Sequence, residues 1–249
     1  MKNETATFWG HLEALRWVIL RSLAAALIFA IAAFCMKDWL FAVVLAPRTS
    51  DFITYRLLGV EPFSIHLMNT GLTEQFMTHM RVAMYAGLLC AAPYIIYELF
   101  RFVSPGLYAK ERQAVLWLVT SGYALFMLGT ALNYLLIFPL TVKFLGTYQV
   151  STEVENMLTL QSYIDTLVSM SLVMGVIFEL PVVCAILGKM GFISGQIMSR
   201  YRRHAIVAIL VVAAIITPTG DAFTLCIVSL PIWLLYEVSI LVVKIIRKQ

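Results

Sequence analysis

Charge is scarce in this sequence. Of its 249 residues only 13% are Asp, Glu, Lys or Arg, against about 25% in an ordinary soluble domain. Disorder is excluded, because disordered chains combine low hydrophobicity with high charge. The formal net charge of +4 is too small to suggest a nucleic-acid partner. The familiar catalytic signatures are also missing. No GxxxxGK[ST] loop is present to cradle phosphates, no HExxH to hold zinc, and no GxSxG to expose a serine nucleophile. The chain is therefore expected not to be an enzyme and to need no cofactor or metal. The four cysteines, Cys35, Cys90, Cys184 and Cys226, sit inside apolar runs without CxxC or metal-ligand spacing. They are expected to act as small buried hydrophobes. The histidines, His11, His66, His79 and His204, divide between the two membrane sides of the topology below, so the pairing a haem-binding anchor would need is missing.

What the sequence has in excess is apolar surface. Hydrophobic residues make up 61% of the chain, about 152 positions, whereas six spans of about 20 residues need about 120. This composition predicts an all-α polytopic membrane protein in one integral membrane domain. Six apolar stretches are bounded by charge, Pro or Gly and read as helices: 17–36, 82–103, 114–138, 166–188, 205–217 and 222–243. The first holds Arg21 and is longer than the apolar part of a signal peptide, so it is expected to be a retained span. The fifth has 13 residues, roughly 20 Å of helix against a hydrocarbon core of about 30 Å. It must borrow residues from the Arg200–His204 side, thin the bilayer, or form one arm of a hairpin with the sixth.

Orientation follows from the basic residues. With a cytoplasmic amino terminus, 13 of the 18 Lys and Arg residues lie on the cytoplasmic side. All the loops are short enough for that bias to count, so both termini are expected in the cytoplasm. The outer side then holds two larger segments, 37–81 and 139–165, the first opening with an apolar piece at 39–46 suited to an interfacial cap.

Carboxylates within the apolar stretches carry the most information. Glu179 lies inside the fourth span, just before Pro181. A charge at a helix centre costs roughly 2.5–3.5 kcal/mol on insertion scales. Such a residue faces a cavity, a partner or an ion path, or is a protonated structural group bonded to the carbonyls near Pro181. Glu98 and Glu237 lie near cytoplasmic helix ends and can reach the interface. Asp221 opens the sixth span and reads first as its amino-terminal cap. Pro93, Pro139, Pro181 and Pro231 interrupt or end apolar runs and are expected to bend helices, with Pro105 in the loop that follows the second span. That loop, SPGLYAKER, carries Glu111 beside Lys110 and Arg112. At the amino terminus HLEALR places Glu13 and Arg16 on the same membrane face. Carboxylates there could accept an incoming guanidinium bidentately.

These motifs accumulate into a family resemblance. HLEALR (11–16), FVSPGLYAKER (102–112), GVIFELP (175–181), TPTGDAF (217–223) and SLPIWLLYE (229–237) run in order over nearly the whole chain. In this the chain resembles TatC, the multi-spanning signal-peptide receptor subunit of the twin-arginine protein translocase. The resemblance implies six kinked helices in a cup, with a short fifth and sixth pair, in a bacterial inner membrane. It implies binding of twin-arginine signal peptides of folded proteins, single-span TatA and TatB partners, self-association in a larger complex, and transport driven by the proton-motive force. By position, Glu111 matches the loop glutamate that meets the arginine pair, with Arg112 beside it and Glu13 and Arg16 of the amino-terminal segment expected on the same face. Glu179 matches the intramembrane glutamate of span four, and Asp221 and Glu237 match the acids at the ends of span six. The chain departs from the family's HLxELR, since its acid falls at Glu13 and Ala14 stands at the usual position, about 100° around a helix. The TPTGD turn is one residue longer than TPPD, and Leu225 replaces a polar Gln found in some relatives. A different class of function, a proton-coupled small-solute transporter titrating at Glu179, is the alternative; the internal repeat expected of alternating access is missing.

Overall fold

The structure, a computed structural model, describes residues 3–103, 112–149, 157–217 and 220–246. In chain order its helices are α1 Asn3–Cys35, α2 Lys37–Val44, α3 Ile53–Leu57, α4 Glu74–Val103, α5 Arg112–Leu132, α6 Phe138–Thr147, α7 Leu160–Ile177, α8 Leu180–Lys189, α9 Gly195–Arg200, α10 Arg202–Ile216 and α11 Ala222–Ile246. A π-helical turn, Asn133–Ile137, joins α5 to α6. Two short strands, β1 Leu67–Met68 and β2 Leu158–Thr159, pair in parallel, Leu67 opposite Leu158.

Five stretches are long and apolar enough to cross a membrane: Leu12–Cys35, Glu74–Phe102, Leu118–Thr147, Leu160–Lys189 and Ala222–Ile246. The chain is a multi-pass membrane protein. Each of these five stretches is longer than the apolar window expected for it, because hydropathy sees only the apolar centre while backbone pairing continues into the polar flanks. At the place of the expected fifth span stands α10, which is short and is not among these five stretches. It does borrow from its basic side, beginning at Arg202, yet its 15 residues reach only about 22 Å. The sixth is not short: α11 has 25 residues, roughly 37 Å, because Pro231 lies inside the helix without ending it. Pro93 likewise lies inside α4. Pro181 stands in the first turn of α8, where its missing N–H costs nothing, and two turn residues, Phe178 and Glu179, separate α7 from α8.

The chain falls into two compact units, Met1–Lys37 with Met80–Ala124, and Asp38–His79 with Leu125–Gln249. In the first, α1 and α4 run antiparallel at very close approach. A Cβ on Gly87 would lie 2.5 Å from the Ala30 nitrogen and 2.6 Å from the Ala26 carbonyl oxygen, so only glycine lets these backbones meet.

In the second unit the segment after α1 folds into a cap. Leu40 and Val44 of α2 are buried while Trp39 is exposed, which agrees with the interfacial piece expected at 39–46. Pro139 explains how this cap is fastened. Proline cannot donate to the carbonyl one turn back; the Leu135 carbonyl accepts the Thr54 hydroxyl instead. Next to it the Tyr55 hydroxyl, fully buried, lies 3.0 Å from the Pro47 carbonyl and 2.8 Å from that of Pro139, and burial pushes its pKa up from the ordinary tyrosine value. Tyr134 and Tyr163 donate to the carbonyls of Val43 and Val44. The core of this unit joins Ile137, Met170, Met174, Phe178, Ala213, Val228, Ile232 and Leu235. The cysteines depart from expectation. Cys35, Cys90 and Cys226 lie exposed on apolar helices and Cys184 is half-buried; a thiol facing lipid needs no more burial than a leucine there.

Candidate functional site

The sequence-nominated residues separate into three places. At the start of α1, Glu13 and Arg16 are exposed, and neither forms an ion pair among the described residues. Helical geometry turns Ala14 away from the direction Glu13 takes. Arg112 is the first residue of α5, whereas Glu111 and Pro105 lie outside the described residues. Helices α1, α4 and the start of α5 fall in one compact unit, so the helices flanking the 104–111 loop share that unit with Glu13.

The second place is the membrane interior of the other unit. Glu179 occupies the turn between α7 and α8, and both its carboxylate oxygens are buried without a hydrogen-bond partner among the described residues. Among the described residues no carbonyl or hydroxyl near Pro181 bonds it. One and two turns back on α7 stand Gly175 and Ser171. The Asn133 side chain, at the π-helical turn, donates to the Ser171 hydroxyl at 2.7 Å, while its own oxygen and the Thr130 hydroxyl are buried and unpaired. A Cβ on Gly175 would meet the Phe126 ring at 2.7 Å and the Thr130 hydroxyl at 3.0 Å. Ser171, Gly175 and Glu179 thus form one polar or small stripe along α7, since residues four apart share a helix face. Buried polar groups in a membrane interior are costly, and they gather where function or a partner requires them.

The third place is the α10–α11 pair. Asp221 accepts the Thr224 N–H at 2.7 Å and caps α11, the bland role expected of it. It follows Gly220, whose φ of +58° only glycine adopts freely. Towards the far end of α11, Glu237 pairs with Arg202 at 2.6 Å. Arg202 begins α10 and Glu237 lies late in α11, so the pair fixes these helices antiparallel. Asp221 and Glu237 are 16 positions apart, on the order of 24 Å, and form no common site.

Two further acids are buried, Glu98, whose partners the sequence did not indicate, and Glu74, which the sequence reading passed over. Glu98, expected near a cytoplasmic helix end, is packed against α1. It is 4% exposed, lies 3.8 Å from the Arg21 guanidinium, and accepts the Tyr94 hydroxyl at 3.2 Å. Tyr94 at i−4 was the only available signal. Glu74 is also buried. Its carboxylate accepts the backbone N–H groups of Thr70, Gly71 and Gln161, each at 2.9 Å, and the Thr70 hydroxyl at 3.2 Å. Glu74 therefore ties the start of α4 to the start of α7; a partner 87 residues away left no trace in the local pattern. Among the described residues no group of His, Cys, Asp or Glu could hold a metal ion.

Comparison with known proteins gives this arrangement a context. The profile of the family described as Sec-independent protein translocase protein (TatC) matches residues 10–231. The chain is 32% identical over 248 residues to the Sec-independent protein translocase protein TatC of Desulforapulum autotrophicum, covering 100% of this chain and 88% of that one. It is 31% identical over 249 residues to the protein of the same name from Carboxydothermus hydrogenoformans, covering 100% and 97%. A crystal structure described as the twin arginine translocase receptor TatC matches with a TM-score of 0.79 at 30% identity, over 95% of this chain and 99% of that one.

Proposed function

This chain belongs to the TatC family, and we propose that it is the signal-peptide receptor and core subunit of a twin-arginine translocase. In this reading folded proteins dock through the arginine pair of their signal peptides at the cytoplasmic face. Glu111 and Glu13 accept the guanidinium groups there, with Arg16 and Arg112 shaping the surrounding charge. Both termini are cytoplasmic, the membrane is the bacterial inner membrane, and the proton-motive force drives transport. Single-span TatA and TatB type subunits and further copies of the chain are the partners. Glu179 presents a polar point within the membrane to such a partner helix, while Asp221 and Glu237 hold the α10–α11 pair in shape.

The observation that carries this reading is the grouping of α1 with the helices that flank the 104–111 loop in one compact unit. It supports the reading because Glu13, exposed on α1, shares a unit with the helices on either side of residues 104–111, although the two sequence segments are about a hundred residues apart. A carboxylate suits this ligand because it meets the planar fork of arginine with two parallel hydrogen bonds, which the point charge of lysine cannot match.

Binding of the purified full chain in nanodiscs to twin-arginine and twin-lysine peptides tests it. Charge-assisted hydrogen bonds contribute about 1.5–3 kcal/mol, so twin-lysine, or Glu111→Ala with twin-arginine, should weaken binding roughly tenfold or more. Equal affinity for the two peptides would sink the receptor reading. Solute uptake by liposomes holding this chain alone, abolished by Glu179→Gln, would favour the transporter instead.

A further inference from the structure

Glu98 and Arg21 form a pair that is badly filled. A carboxylate buried inside a membrane-spanning helix is costly unless a cation and several hydrogen bonds compensate it. Glu98 is 4% exposed, yet the Arg21 guanidinium stands 3.8 Å from Oε1, beyond hydrogen-bond reach, where an arginine and a carboxylate in full contact approach to about 2.8 Å. The Tyr94 hydroxyl donates to that same oxygen, and among the described residues nothing bonds Oε2. Arg21 for its part keeps 52% of its side chain exposed and can swing its head outward along its own apolar stem at little cost. The close crossing at Gly87 holds α1 and α4 in place, so the poor fit does not come from loosely packed helices.

The position is as telling as the geometry. Arg21 stands near the middle of α1, Asn3–Cys35, and because α1 and α4 run antiparallel it meets the last turns of α4, where Glu98 lies. Glu98 is five residues from the last residue of α4, about 7.5 Å along the helix axis. That end of α4 leads into the segment with Glu111 and lies on the side where α1 begins, with Glu13.

We propose that Glu98 and Tyr94 form a further guanidinium-binding position of the receptor, occupied at rest by Arg21, and that an arginine of the signal peptide displaces Arg21 from it. The proposal rests on the receptor reading above and extends it. An arriving guanidinium fills the bidentate geometry that Arg21 leaves unmade, and Arg21 moves to the headgroup region. Arg21 is then a built-in competitor that sets how strongly a peptide must bind to dock.

The two halves of the pair give opposite expectations. With the full chain in nanodiscs, Glu98→Gln should weaken twin-arginine peptide binding about tenfold, whereas Arg21→Gln should strengthen it severalfold. Arg203→Gln, which removes the same charge from α10 in the other compact unit, should leave binding within twofold. A merely structural pair would lose affinity in both variants, so weakened or unaltered binding by Arg21→Gln would overturn the proposal. Should Arg21→Gln not fold, Arg21→Met takes its place with the same expected direction, since it keeps an apolar stem and removes the competing charge. If the wild type prefers arginine and loses binding with Glu111→Ala while Arg21→Gln fails to strengthen it, this inference falls and the receptor reading stands. If the wild type shows no arginine preference, both fall.

Discussion

Replacing Gly87 with alanine should destabilise the protein, although alanine is the better helix former. In an unobstructed helix the change gains about 0.8–1.0 kcal/mol. Here the new methyl would sit 2.5 Å from the Ala30 nitrogen and 2.6 Å from both the Ala30 Cα and the Ala26 carbonyl oxygen. These are backbone atoms of α1, and no rotamer change moves them aside. Overpacking typically costs 1–3 kcal/mol, and rigid neighbours place this case towards the upper end. The expected net loss is about 1–2 kcal/mol, a fall in melting temperature of roughly 3–8 °C for a chain of this length. Gly10, on the facing helix α1, has no atom within 4 Å of its Cβ position, so Gly10→Ala should hold or raise stability. Thermal unfolding in one detergent, followed by circular dichroism, compares the three proteins directly. Gly87→Ala melting at or above the wild-type temperature would refute the claim that α1 and α4 meet backbone to backbone.

Two further outcomes follow from buried hydrogen bonds. Because burial raises the Tyr55 hydroxyl above its ordinary pKa, its contribution is fully present below about pH 10, the unfolded value, and is lost as pH rises through the folded value; wild-type unfolding curves should steepen in alkali and Tyr55→Phe should blunt that dependence, an unaltered alkaline slope counting against it. Glu74→Gln should expose the Gln161 amide, since an amide NH2 cannot accept the N–H that Oε1 now takes at 2.9 Å; hydrogen exchange at Gln161 should quicken, and unchanged protection would show the tie between α4 and α7 to be dispensable.

The sequence determined what depends on composition and local pattern. An apolar excess with few charges requires helices in a membrane, because every backbone group must be paired where water is absent. The count of 13 residues marked the fifth span as short, and TPTGD announced the capped start of α11 through Asp221. The helix ends were less legible: hydropathy sees the apolar centre, while Glu74 and Arg202 extend helices through polar residues. Pro231 illustrates the same limit, since its effect depends on neighbours able to use the carbonyl it frees, and α11 runs on where a short helix was expected. Tertiary structure alone decided which acids are buried and what they meet. Glu179 proved to have no hydrogen-bond partner among the described residues, Glu237 to hold Arg202, and Glu98 to face Arg21. Each outcome turns on distances of 2.6 to 3.8 Å between residues 35 to 77 positions apart, and hydropathy, which reads each residue beside its chain neighbours, carries no information about such pairs.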